Sequence, residues 1–313
     1  MNLRMYISTV LAVLGCLVVG QPAAQQTRQV RELYDARGGP RLARNAFPIP
    51  ATVQVVRDVV YASYGERRLK LDLYRPQEAK RRAAPGVIVV RGGGWQQGDK
   101  EGFGFIAGQL AEAGFVAASI EYRTSAEAKF PAAVHDVKAA VRWMRANATQ
   151  YGVDSGSIGA IGGSAGAHLV AMLATSAGVM YLEGNGGSSS ASSQVQAVVA
   201  MACVCNMQAG GAAVNEFIGA PWKTHADAIK AASPITYVTS NSAPLLLLHS
   251  KTDPVVPFGQ SIEIEGLYQR VNVPVTLKVI EAPNTHDFWN ETRYFPETIR
   301  LAVEFLHKHL NAK

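Results

Sequence analysis

From residue 53 onward two apolar rhythms alternate along the chain. Short, nearly continuous apolar runs, "GVIVV" (86–90), "FVAASI" (115–120), "SIGAIGG" (157–163), "VQAVVAMACV" (195–204), "LLLLH" (245–249) and "VTLKVI" (275–280), read as strands. Between them, apolar residues recur at helical spacing. Val134, Val137, Val141 and Met144 form one such series, with Pro131 near its start and Gly152 just past its end. Helices are also predicted over about 104–113, 164–178, 259–271 and 292–310. Ahead of these lie "VQVVRDVVYA" (53–62) and "RRLKLDLYRP" (67–76). In the second, Leu69, Leu71 and Leu73 alternate with polar residues, the pattern of a half-buried strand, and the two together predict an antiparallel edge. Buried strands alternating with amphipathic helices predict an α/β fold, a mostly parallel central sheet with helices on both faces. Two segments break the rhythm. The Gly/Ser stretch 183–194 reads as a flexible loop, and 206–238 is irregular and helical in places, a small partial cap over one end of the sheet.

The first residues are a different material. Arg4 precedes an almost wholly apolar run from Met5 to Gly20, and Gln21 to Gln26 turn polar around Ala23 and Ala24. That order predicts a secretory signal peptide over 1–20, cleaved near Gly20 or Ala24, and hence a secreted or periplasmic protein. The run is short for a membrane-spanning helix. A lipid-anchored alternative would use Cys16, although apolar residues continue past it. Residues 21–50 read as a loosely structured lead, and 51–313 as one catalytic domain. The net charge of +6 owes much to Arg28, Arg31, Arg37, Arg41 and Arg44 in that lead. With only Tyr34 and Phe47 among them, they read as a solvated segment and not as a nucleic-acid face. After export the chain keeps only Cys203 and Cys205. Two apart on a predicted strand, they would share a face with poor geometry for a bridge, and they are expected as buried small hydrophobes. No companion ligand pair accompanies them, so no metal site is predicted.

The chemistry begins at Gly162-Gly163-Ser164-Ala165-Gly166, a Gly-x-Ser-x-Gly after a predicted strand and before a predicted helix. A serine hydroxyl needs a base to become a nucleophile, and a sharp turn with small neighbours lifts its oxygen clear of the backbone. His286, in a loop after the last strand, is the candidate base. Asp253, in a loop after the preceding strand, is the candidate to orient it. The order Ser164, Asp253, His286 suits a sheet whose strands deliver all three at their C-terminal ends. Of the other histidines, His168 lies one helical turn from Ser164 and is expected to pack inward. His249 is placed to brace the Asp253 loop. His135, His307 and His309 fall on helices, and His225 in the irregular segment. Asp287 adjoins His286 but is poorly placed to orient the same ring. "RGGGW" (91–95) follows a buried strand, where the amides of Gly93 and Gly94, with that of Ala165, are candidates to stabilise an oxyanion. Trp95 either walls the acyl pocket or packs beneath the loop.

Taken together, "RGGGW…GDK", "EYR…FPAAVHDVKAAVRWMRANA", "GGSAGAHL", "SPITYV", "HSKTDPVVP" and "THDFW" resemble the α/β-hydrolase esterases, in particular the feruloyl and acetylxylan esterases and the hormone-sensitive-lipase-like carboxylesterases. The resemblance covers about residues 54–310. It implies a Ser164–Asp253–His286 triad, an oxyanion hole at Gly93, Gly94 and Ala165, no cofactor, and hydrolysis of small-molecule or polysaccharide esters such as acetyl or feruloyl esters. Two features depart from the family. Arg91 stands where a histidine usually precedes the glycines, either as a replacement brace or as a cation near acidic or sugar-bearing substrates. "ACVCNMQAGG" replaces an aromatic- and Pro-rich turn on the leaving-group side. A serine peptidase of the prolyl oligopeptidase type and a non-catalytic binding protein on a hydrolase scaffold are the alternative readings. The sequence assigns no oligomeric state.

Overall fold

Eight strands form one sheet in a computed structural model that describes residues 43–78 and 83–310. The expected signal peptide, Cys16 and the lead as far as residue 42 lie outside the described residues. The strands are β1 (Val53–Tyr64), β2 (Arg67–Pro76), β3 (Ala84–Val90), β4 (Val116–Ile120), β5 (Val153–Gly163), β6 (Ala197–Met201), β7 (Leu245–His249) and β8 (Val275–Val279). Their spatial order is β1-β2-β4-β3-β5-β6-β7-β8. The pairs β1–β2 and β2–β4 are antiparallel and every later pair is parallel. This is the mostly parallel sheet with an antiparallel edge that the hydrophobic pattern predicts.

Five longer helices cover the sheet: α1 (Gly104–Glu112), α2 (Ala132–Ala146), α3 (Ala165–Thr175), α4 (Gly259–Arg270) and α5 (Phe295–Leu310). Alternate residues of each strand enter opposite cores. Ile88, Val90, Val198, Leu245 and Leu247 pack with α2, α3 and α4, while Val87, Val89, Val199, Leu246 and Leu248 pack with α1 and α5. Burial on both faces is why these strands read as unbroken apolar runs and not as alternating ones.

Three expectations are corrected. Residues 43–50, the described part of the expected loose lead, are packed: Ala43 is buried, and the Phe47 ring lies 4.9 Å from that of Phe295. The 183–194 stretch is pinned, because three cations on one face of α2 reach it. Lys138 pairs with the Glu183 carboxylate at 2.6 Å, and Arg142 donates to the carbonyls of Glu183 and Gly186 at 2.9 and 2.8 Å. Arg145 donates to the Gln194 carbonyl at 2.7 Å. A composition that suggests freedom thus also permits strapping by cations from a neighbouring helix. Finally, Cys203 and Cys205 form a disulfide. The strand ends at Met201, and Ala202 takes a positive φ of 50°, so the extended geometry that argued against a bridge does not apply. The cysteine Cα atoms lie 5.3 Å apart, inside the range a bridge accepts.

Candidate active site

Ser164 is the single residue between β5 and α3, with φ 55° and ψ −120°. That conformation costs an L-residue of order 1–3 kcal/mol and needs support from both sides. The Ser164 amide donates to the Met201 carbonyl on β6 at 2.8 Å, and its own carbonyl accepts from the His168 amide at 3.0 Å. The turn closes because Gly166 has no side chain: a Cβ there would fall on the carbonyl oxygens of Val90 and Arg91. Trp289, buried in the turn after His286, packs against Gly163 from the other side.

The two partners arrive from the loops after β7 and β8. His286 Nε2 lies 2.8 Å from Ser164 Oγ, and its Nδ1 lies 2.8 Å from Asp253 Oδ2. The Trp289 ring meets the imidazole edge to face at 5.7 Å. Ser164 and His286 are half-buried, within reach of solvent, whereas the Asp253 side chain is fully buried. Burial alone would push the Asp253 pKa up. Hydrogen bonds from His249 and His286 and from the amides of Val256 and Val255 outweigh it and hold the carboxyl well below its ordinary range. A buried carboxylate that stays ionised can fix the imidazole with Nδ1–H toward it, which leaves Nε2 free to take a proton from Ser164.

The glycine loop stands beside the serine. A Cβ on Gly92 would come within 3.2 Å of Ser164 Cβ. Gly93 takes φ 114° and its carbonyl accepts from the amides of Gln96 and Gln97 at 3.0 and 3.2 Å. A side chain on Gly93 would collide with the Gln97 carbonyl, so glycine is required there. Among the described residues, no acceptor pairs with the amides of Gly93, Gly94 or Ala165. Three unpaired donors next to a nucleophile suit a developing oxyanion.

Arg91 and Trp95 do not face the cleft. Arg91 is 4% exposed. Its Nη1 donates to the carbonyls of Gly92, at 2.9 Å, and Gln97, and the guanidinium lies 4.5 Å over the Tyr122 ring. It ties both ends of the glycine loop from beneath. Trp95 is 3% exposed, stacks on Phe217 at 4.7 Å and donates from Nε1 to His168 Nδ1 at 3.2 Å. His168 in turn donates from Nε2 to the Ala232 carbonyl at 2.8 Å. Burial pulls its pKa down to about 4, so it is neutral and fully committed. Asp287 accepts from Asn290 at 3.1 Å and does not orient His286. Segment 206–238 carries two short helices, Ala212–Ile218 and Ala226–Ala231, and Ala213 Cβ lies 3.8 Å from where a Cβ on Gly94 would stand. The irregular segment therefore does overlie the glycine loop.

Trp289 and Tyr122 stand inside "THDFW" and "EYR", motifs that assign them no role, and Gln260 and Ser261 support the site without any sequence signal that marks them. Gln260, for example, caps the amides of Cys205 and Asn206 at 2.8 and 2.9 Å from a helix more than fifty residues away. Among the described residues no cluster of His, Cys, Asp and Glu is arranged to hold a metal, and no helix is long and apolar enough to cross a membrane.

Residues 71–267 match the family described as BD-FAE. Esterase LipQ of Mycobacterium tuberculosis is 34% identical over 241 residues, which cover 73% of this chain and 56% of LipQ. A truncated carbohydrate esterase from gut microbiota superposes with a TM-score of 0.72 at 29% identity, covering 81% of this chain and 96% of that one. Esterase Est2 of Thermogutta terrifontis, with butyrate bound, gives 0.71 at 27% identity, covering 84% and 97%. The chain spans about half the length of the curated relatives it matches.

Proposed function

From a chain that belongs to the BD-FAE family and carries the α/β-hydrolase fold, we propose a serine carboxylic ester hydrolase that works through an acyl-enzyme. The observation that carries this reading is the unbroken run of hydrogen bonds from Ser164 Oγ through His286 to Asp253. Ser164 attacks the ester carbonyl while His286 Nε2 takes its proton, and the amides of Gly93, Gly94 and Ala165 receive the negative oxygen. His286 then protonates the departing alcohol. Water, deprotonated by the same nitrogen, releases the acid and regenerates Ser164. Asp253 stays ionised throughout and stabilises the imidazolium.

The substrates we propose are short-acyl and carbohydrate-linked esters, acetyl or feruloyl. The carbohydrate esterase and the butyrate-bound Est2 support that class, as does a half-buried nucleophile beside a glycine loop that Ala213 approaches. The apolar N-terminal run supports export, and a disulfide suits an oxidising compartment.

Ser164→Ala tests the reading. The variant is expected to keep the wild-type circular dichroism spectrum and melting temperature while losing p-nitrophenyl acetate turnover. A panel of acetylated xylan, methyl ferulate and nitrophenyl esters of increasing chain length then ranks substrates. Turnover retained in the folded variant refutes the mechanism.

A further inference from the structure

Asp253 is held by two imidazoles, and only one of them faces Ser164. Its Oδ1 accepts from the amides of Val255 and Val256 at 2.8 and 2.9 Å. Its Oδ2 lies 2.8 Å from His286 Nδ1 and 3.3 Å from His249 Nε2. His249 closes β7, is wholly buried, and meets the Phe258 ring edge to face at 5.6 Å.

The partners of His249 assign its protons. Nε2 is also 3.1 Å from the Val256 carbonyl oxygen, which can only accept, so Nε2 carries hydrogen. Nδ1 is 2.7 Å from Ser261 Oγ, a hydroxyl able to donate to an unprotonated ring nitrogen. The two contacts fix the ring with Nε2–H toward Val256 and Asp253 and Nδ1 toward Ser261. Ser261, His249 and Asp253 repeat the residue types of the reactive set. Ser261 is wholly buried within α4, however, so no substrate reaches it and it is no second nucleophile.

We propose that His249, with its ring held by Ser261, is a positioning residue that holds Asp253 in the rotamer presenting Oδ2 to His286. The proposal rests on the reading of Ser164, Asp253 and His286 as the triad. The two amides fix Oδ1 only. Without the His249 donor, Oδ2 is anchored by His286 alone, and that ring must itself stay in register with Ser164. The imidazolium forms only along the reaction path, so the loss falls on kcat and spares KM.

The experiment compares His249→Leu, His249→Gln and Ser261→Ala with wild type. Each is titrated to completion with a fluorophosphonate probe, so that kcat is expressed per competent Ser164. For His249→Leu the expected loss in kcat on p-nitrophenyl acetate is roughly 10- to 100-fold with KM kept within about twofold, a fraction of the ~10⁴-fold that a misoriented base costs such a site. His249→Gln, whose side-chain amide can donate from near the Nε2 position, is expected to recover to within about fivefold of wild type. Ser261→Ala removes one buried hydroxyl and carries the test if the leucine variant does not fold. It is expected to lower kcat at least about threefold with KM unchanged. Per-site kcat within about twofold of wild type in His249→Leu, or equal impairment of the leucine and glutamine variants, overturns the proposal. So does an unchanged kcat in Ser261→Ala. If wild type labels at Ser164 and Ser164→Ala is inert, those results sink the His249 role alone. Labelling elsewhere sinks the triad itself.

Discussion

Removing the Arg91 guanidinium separates a brace from a substrate contact. In Arg91→Leu the carbonyls of Gly92 and Gln97 lose their donor, and the guanidinium leaves the Tyr122 ring. Both carbonyls are only partly buried, so each left unpaired costs about 1 kcal/mol, the low end for a buried acceptor, and the stacked cation is worth about 0.5–2 kcal/mol. Against this, Arg91 Nε has no partner among the described residues, and leucine removes that buried orphan, recovering about 1–3 kcal/mol. Two part-buried acceptors and a stack against one donor leave a net loss of roughly 1 kcal/mol. The kinetic effect is larger than the stability effect suggests, because the loop also carries the amides of Gly93 and Gly94. Losing one oxyanion donor costs about 10²–10³ in kcat, so partial misplacement is expected to cost roughly tenfold or more. The assay pairs urea denaturation with kcat and KM for a neutral nitrophenyl acetate and an anionic hemisuccinate ester. The brace predicts lower stability and lower kcat on both esters. Unchanged stability and unchanged kcat on the neutral ester, with KM raised only on the anionic one, would mean that Arg91 meets substrate, and the reasoning fails.

Two further outcomes follow from the same geometry. His168 has an ordinary pKa of 6.5, pulled down to about 4 by burial. The unfolded chain therefore binds a proton that the fold refuses: the contribution is complete above pH 6.5 and is lost as pH falls toward 4, up to about 3 kcal/mol. The stability gap between wild type and His168→Gln is expected to narrow by that amount between pH 7 and pH 4, and a constant gap in urea titrations contradicts it. Gly166→Ala places a methyl on the carbonyls of Val90 and Arg91, where overpacking is expected to cost about 1–3 kcal/mol or more and to move Ser164. A variant with wild-type melting and kcat would show that the elbow has slack it is not expected to have.

The order of strands and helices was legible because each rhythm is local. Val134, Val137 and Val141 mark a helix without knowledge of its partner, and the strand–turn–helix around Ser164 lies within one short window. The approach of Asp253 and His286 to Ser164 was legible only through chain order, since a parallel sheet with regular crossovers brings successive loops to one rim. Contacts that cross the fold were not legible. Nothing near Ser261 says that it meets His249, and nothing near Arg91 says that Tyr122 stacks beneath it. The cysteine pair escapes the pattern because strand geometry stops at Met201 and Ala202 turns the backbone. The Gly/Ser stretch escapes it because its composition says nothing of the three cations that α2 turns toward it.

The central claim is that Ser164 carries the acyl group. Rapid mixing of enzyme with excess p-nitrophenyl acetate, followed by acid quench and peptide mass analysis, tests it most directly. The account predicts an acetyl adduct on the peptide containing Ser164, formed no more slowly than steady-state turnover and absent from Ser164→Ala. Steady turnover by wild type with the acetyl group on another residue, or undiminished turnover by the alanine variant, would contradict it.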